Sequence, residues 1–242
     1  MSWKNEVSSI MNPSRRTVNV LNVVSLVAMM VAIYMATIQA PSATNIDESI
    51  RPAQRIIYFH VPSAWISMLA FFVTFVASVI YLRSKHVKWD ILALCSAEIG
   101  ILFTIAATAS GSIWGKPAWN TWWTWDPRLT TYTIVLLLYI AYFMLRGAIE
   151  EPERRARFAA VYGIFAFLSV PLTFMSIRWW NTIHPVILDP NKGFGLGPGM
   201  ASAFMIGILA FTILYVTLLA NRLRVEWMFE RVAALRERLL SA

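Results

Sequence analysis

Six apolar runs, each long enough to cross a lipid bilayer, constrain this chain more than anything else in its sequence. They read as Val18–Ile38, Ile56–Leu82, Ile91–Ile113, Leu129–Leu145, Phe158–Ile177 and Met200–Ala220. A spanning helix needs about 17–25 residues to cross about 30 Å of hydrocarbon. Hydrocarbon offers the backbone no water, so each run must pair its own N–H and C=O groups as a helix. The expectation is an all-α integral membrane protein with six transmembrane helices, one membrane domain over 1–242, and a tail at 222–242. Composition agrees: 58% of residues are hydrophobic and 14% charged, against about 25% charged in soluble domains. That balance excludes a disordered chain. The one cysteine, Cys95, excludes an internally disulfide-stapled domain. With no Cys-x-x-Cys-His, the chain is not itself a c-type cytochrome. The first run exceeds the 7–15 residues of a signal-peptide core and no clear Ala-x-Ala site precedes Pro41, so it reads as a retained span.

Orientation follows from the cations. With six spans, 15 of the 21 lysines and arginines fall on one side and six on the other. The richer side is expected to be the cytoplasm, which puts both termini there. The net charge of +8 is then a topology signal and an attraction to anionic membrane lipid, and needs no nucleic acid. Trp3, Trp89 and Trp227 fall on that side, as does His86, which reads as a solvated side chain in a basic turn. The segment after Arg222 carries Val225, Met228, Phe229, Val232, Leu235 and Leu239 at helical spacing. It reads as an amphipathic helix lying on the membrane or on a partner. No nucleotide-binding motif occurs, so an ATPase would have to be another chain.

The outer segments, roughly 39–57, 114–128 and 178–199, hold the unusual residues. The middle one contains Trp114, Trp119, Trp122, Trp123 and Trp125, followed by Asp126, Pro127 and Arg128. An aromatic belt would spread tryptophans over both interfaces, whereas eight of the 11 are outer. The alternative is an indole platform for a large planar ligand. Asp126-Pro127 has the N-cap and first-turn chemistry of a helix start. His60 and His184 lie near the outer ends of the second and fifth spans, at one depth, flanking the tryptophans. Each alone reads as a hydrogen-bonded structural residue. Together they suit a metal, and neutral imidazole is an axial ligand of haem iron. Zinc would call for three or four ligands, and besides Asp126 the only outer acids are Asp47, Glu48 and Asp189. Arg128, Arg55 and Arg178 could match haem propionates or serve as interfacial anchors.

The segment Trp114-Gly-Lys-Pro-Ala-Trp119-Asn-Thr-Trp122-Trp123-Thr-Trp125-Asp126-Pro127-Arg128 resembles the tryptophan-rich WWD signature of haem-handling proteins. With six spans and an outer histidine on each side of it, the whole chain is similar to the cytochrome c maturation protein C, or haem exporter protein C, family. The larger synthetase-type assembly proteins have more spans and more histidines. The resemblance implies a non-enzymatic subunit of the bacterial inner membrane that binds haem b at the periplasmic face. His60 and His184 would be the axial ligands, and the tryptophan segment, Asp126 and the arginines would contact the macrocycle. Implied partners are a membrane-anchored periplasmic haem chaperone, ABC-type ATPase and permease subunits, and a small single-span subunit.

A competing class is a bis-histidine b-type electron-transfer subunit, whose ligands would sit deep in the bundle. A conventional transporter would carry ionisable residues at mid-membrane and inverted repeats. Among lesser features, Glu98 reads as facing a partner subunit or snorkelling. Pro171 should kink the fifth span. The glycines from Gly193 to Gly199 read as a flexible entry to the sixth, and Cys95 as inert packing.

Overall fold

The computed structural model describes residues 13–43, 48, 50–185, 188–189, 193–194 and 196–240. Of the residues singled out above, Trp3, Asp47 and, within the glycine-rich stretch, Gly195 lie outside them. The helices are α1 (Arg15–Tyr34), ending in a π-helical turn over Met35–Gln39, the short α2 (Arg51–Gln54), α3 (Ile57–Ser84), α4 (Val87–Trp119), α5 (Pro127–Ala148), α6 (Pro152–Phe167), α7 (Ser169–Trp179) and α8 (Pro198–Leu240). Six helical stretches are long and apolar enough to cross a membrane, with α2–α3 and α6–α7 each counting as one. The chain is therefore an all-α multi-pass membrane protein.

The closest pairing is α3 on α4, and small side chains explain it. Ser67, Ala70 and Thr74 on α3 face Ala93, Ser96, Ala97 and Thr104 on α4, all essentially buried. Without a hydrophobic drive between helices in lipid, close backbone approach and interhelical hydrogen bonds provide the cohesion. Ser96 Oγ donates to the Ala70 carbonyl at 2.7 Å, and Ser67 Oγ lies 2.6 Å from Thr104 Oγ1. α5 closes the other side, where the Tyr139 ring stacks on Phe71.

Four departures from the sequence reading have physical causes. α4 continues past Ile113 through the first two tryptophans and stops at Asn120, whose left-handed backbone (φ 57°) ends the helix. The fifth span breaks at Leu168; Pro171 has no N–H for the Phe167 carbonyl, so the interruption falls one turn before the proline. α8 does not stop at the membrane face but runs unbroken to Leu240, with Leu223 and Trp227 packed on Val87, Ile91 and Cys95 of α4. In the outer segment Leu188–Asp189 pairs antiparallel with Gly193–Phe194, so part of the glycine-rich stretch is a strand.

Candidate functional site

The two outer histidines come together. His60 sits in the first turn of α3, its ring against α4. A Cβ built on Gly111 would lie 2.9 Å from His60 Cε1, so only glycine lets the ring pack so closely there. Nδ1 of His60 is 2.9 Å from the Ala107 carbonyl and 3.1 Å from Ser110 Oγ. A carbonyl can only accept, so Nδ1 carries the proton and Nε2 keeps the lone pair.

His184 is held by a different device. Asp126 caps α5 by accepting from the Arg128 N–H at 2.9 Å. The same carboxylate accepts from Thr182 Oγ1 at 2.7 Å and from the Ile183 N–H at 2.9 Å. Thr182 Oγ1 in turn accepts from the His184 N–H at 3.0 Å. One acid thus ties the start of α5 to the turn carrying His184. Burial alone would raise its pKa, but the hydrogen bonds from Thr182, Ile183 and Arg128 outweigh burial and hold the carboxyl below its usual range. Nδ1 of His184 lies 3.1 Å from the Pro185 carbonyl, which again leaves Nε2 as the lone-pair nitrogen. Burial, then the positive charge of Arg128 and the neighbouring His60, pull the His184 pKa down to about 4. His184 is therefore neutral, and able to ligate, at any ordinary pH.

The imidazole centroids are 6.4 Å apart with their planes at 38°. Two nitrogen–metal bonds of about 2 Å and two ring half-widths of about 1.1 Å would separate two imidazoles that shared one metal between them by about 6.2 Å. The spacing matches one metal centre held between them. Among the described residues no group of three or more His, Cys, Asp or Glu comes together. A metal held here would bring its remaining ligands with it, as the iron of a tetrapyrrole does.

Around the pair lies an open cavity of about 180 Å³, lined by Trp114, Trp119, Trp123, Phe174, Ile177 and others; among the described residues Arg128 and Arg178 are the cations of its lining, which includes no carboxylate. Its volume is below the roughly 300–1,000 Å³ of pockets that enclose a drug-sized ligand. Trp114 and Trp119 meet edge to face at 5.1 Å. One guanidinium N–H of Arg128 is taken by the Thr173 carbonyl, and the Arg178 guanidinium lies 4.8 Å over the Phe174 ring.

Comparison with known proteins gives this arrangement its family. The family model described as Heme exporter protein C matches residues 3–238. "Heme exporter protein C" of Bradyrhizobium diazoefficiens is 37% identical over 182 residues, covering 75% of this chain and 69% of that protein. The protein of the same name from Rhodobacter capsulatus is 34% identical over 189 residues, covering 76% and 77%. The Escherichia coli one is 35% identical over 170 residues, covering 70% and 69%. The chain belongs to the haem exporter protein C family.

Within this haem exporter protein C family member, not every singled-out residue reaches the cavity. Trp122 and Trp125 are exposed, and neither lines it. Asp126 acts behind the wall. Arg55 is elsewhere: its guanidinium donates to the carbonyls of Ala36 and Ala40, closing the frayed end of α1. Glu48 pairs with Arg51 at 2.9 Å. The sequence reading missed Ala107, Ser110, Gly111 and Thr182. The run of small residues from Ala106 to Gly111 was the available signal, because it marks where α4 admits a side chain from α3.

Glu98 departs from its reading too. It takes a two-point ion pair from Arg222 on α8, at 2.6 and 3.0 Å, a partner within the chain that the sequence reading did not name. Nearer the end opposite the histidines, in the first turn of α4, Asp90 takes a fork from Arg146 at 2.6 and 2.9 Å, both side chains nearly buried.

Proposed function

We propose that this protein takes part in cytochrome c biogenesis by binding haem b between His60 and His184 and handing it on. The observation that carries the reading is the 6.4 Å separation of two imidazoles whose Nδ1 atoms are both committed to carbonyls. Their lone pairs are thereby free for iron, and the haem supplies the four equatorial nitrogens. Trp114, Trp119 and Trp123 offer flat apolar contact to the macrocycle. Arg128 and Arg178 offer charge to the propionates, each with part of its guanidinium already engaged by the protein.

In this reading the histidine end faces the periplasm of a bacterial inner membrane, and both termini are cytoplasmic, as the 15-to-six distribution of cations favours. Residues 1–242 act as one six-span domain with a cytoplasmic tail. The shallow cavity suits a delivery subunit, because a chaperone must reach the ring's edge to accept it. Recipient and assembly are those the sequence resemblance implies: a membrane-anchored haem chaperone, with ABC-type ATPase and permease subunits and a small single-span subunit. The chain itself binds and presents its cargo and catalyses no reaction.

The test is spectral. Purified protein reconstituted with haem should give the low-spin spectrum of bis-histidine ligation. His60→Ala or His184→Ala should convert it to a five-coordinate or exogenously ligated form, and the double variant should not bind stoichiometrically. An unchanged low-spin spectrum in the double variant would remove the ligand assignment. Haem that stays bound when apo-chaperone is added, while cycling reversibly between redox states, would favour an electron-transfer subunit instead.

A further inference from the structure

The end of the molecule opposite the histidine pocket carries a surface that the haem reading does not use. α8 has 43 residues and is about 65 Å long at 1.5 Å per residue, about twice the depth of the hydrocarbon. Trp227 is buried against the first turns of α4. From Met228 to Leu240 every residue whose side chain is described is exposed. Among the described residues the helix therefore continues beyond the bundle largely uncovered, with Arg224, Met228 and Arg231 bordering a groove shared with Pro13, Ser14 and Arg15.

Its exposed apolar residues are not scattered. Val225, Met228, Val232, Leu235 and Leu239 follow one another at alternating steps of three and four, the a and d positions of a heptad seam. They are between 39% and 80% exposed. In the same register Arg224, Arg231 and Arg238 recur every seven residues along one edge, at g, and Arg236 lies on the other, at e. Nearer the membrane the neighbouring face of α8 is already paired: Thr217 Oγ1 donates to the Leu21 carbonyl and Asn221 bonds Asn22, both on α1. α1 begins at Arg15, and the seam runs on past that level.

We infer that residues 225–240 form a docking strip for an amphipathic helix of another protein, one with glutamate or aspartate flanking its apolar seam. Charge selects this occupant over the others. A parallel second copy would set Arg231 of each chain against Arg236 of the other, and like charges facing across e and g oppose pairing. Residues 1–12 contain one acid, Glu6, and one base, Lys4, and so carry no net charge to complement Arg224, Arg231 and Arg236. A membrane surface would need the helix to lie flat, whereas α8 is one unbroken helix with the segment that spans. A partner anchored in the same membrane would need only a short seam, because anchoring makes the contact effectively intramolecular.

The experiment measures amide hydrogen exchange over 228–240 in the full chain, embedded in nanodiscs of neutral lipid. The probe is a three-heptad peptide with Ile at a, Leu at d and Glu at e and g, compared with the same peptide carrying Lys at e and g. The expected result is fast exchange without peptide and at least tenfold slowing with the glutamate peptide alone. Val232→Asp with Leu235→Asp should abolish the slowing. Arg231→Glu, Arg236→Glu and Arg238→Glu together should transfer it to the lysine peptide. These substitutions lie beyond Trp227, so exchange in the spans should be unchanged. Slow exchange in neutral nanodiscs without peptide would overturn the inference, since the chain itself or a second copy would then cover the strip. Equal slowing with nanodiscs containing phosphatidylglycerol and no peptide would assign the strip to the membrane surface. Failure of both peptides, or equal effects of the two, would overturn it as well.

Discussion

The two ends of this bundle treat polar atoms in opposite ways. At the inner end Asp90 and Arg146 are forked together in a nearly buried pair, and Glu98 and Arg222 are matched at two points. At the outer end two imidazoles stand 6.4 Å apart, and neither Nε2 has a hydrogen-bond partner among the described residues. Arg128 lines that cavity with one guanidinium N–H held by the Thr173 carbonyl. Groups that have used up their partners contribute to holding a fold. The two imidazoles are fixed from behind through Nδ1 while Nε2 keeps its lone pair, and this is the feature that the proposed haem ligation uses.

That contrast can be broken by experiment, and the largest effect belongs to the inner end. Asp90→Ala leaves Arg146 buried and unpaired, which should cost about 3–5 kcal/mol. Thermal unfolding in detergent should show a large drop, with haem absorbance per folded molecule unchanged. A drop in ligation without a drop in stability would erase the distinction between the two ends.

Next comes Asp126→Ala, which removes three acceptor contacts and frees the turn bearing His184. Loss of an outer-shell partner typically weakens a metal site about 10–100-fold. A haem titration should show that loss, and Asp126→Asn, which keeps one carbonyl acceptor, should fall between. Gly111→Ala sharpens the comparison further. Its new Cβ must displace the His60 ring, so haem affinity should fall by about tenfold, or about 1.4 kcal/mol, while the melting temperature stays near that of the parent.

The smallest effect is in pH. Since the folded pKa of His184 is depressed to about 4 from an ordinary value near 6.5, its proton competes with iron only in strong acid. Haem retention should be flat from pH 8 to about 5 and fall near pH 4. Arg128→Gln removes a repelling charge and should move the fall upward. A fall already centred near 6.5 in the parent would contradict the burial of that ring. For stability the sign is the reverse of a salt-bridged histidine: between about 6.5 and 4 the unfolded chain takes up a proton that the folded chain refuses, so the fold weakens as pH drops through that window.

Much of this was legible before any coordinates. Hydropathy and run length locate six spans because lipid leaves the backbone no alternative to the helix. Odd and even crossings then bring His60 and His184 to one end. Asp126-Pro127 announces the start of α5 by local chemistry alone. Pairings between distant segments were not legible. Nothing local says that Arg55 reaches back to Ala36, that Glu98 meets Arg222 across 124 positions, or that Gly111 is small because an imidazole lies on it. Nor does an apolar run announce its exit from the membrane: α4 keeps its helix through Trp119, and α8 keeps its own to Leu240, because backbone hydrogen bonding continues wherever no residue interrupts it. The break at Leu168 was legible only as a bend at Pro171.

That break makes the fifth crossing two rods rather than one. The inner rod, α6, packs through Ala156 and Ala160 against Tyr81 and belongs to the scaffold. The outer rod, α7, brings Phe174, Ile177 and Arg178 to the cavity and is gripped by Arg128 through the Thr173 carbonyl. A substitution on α5 can therefore re-aim one wall of the histidine cavity while the spacing of the remaining helices stays as it is. The chain can in this way reshape that cavity without rebuilding the membrane core that carries it.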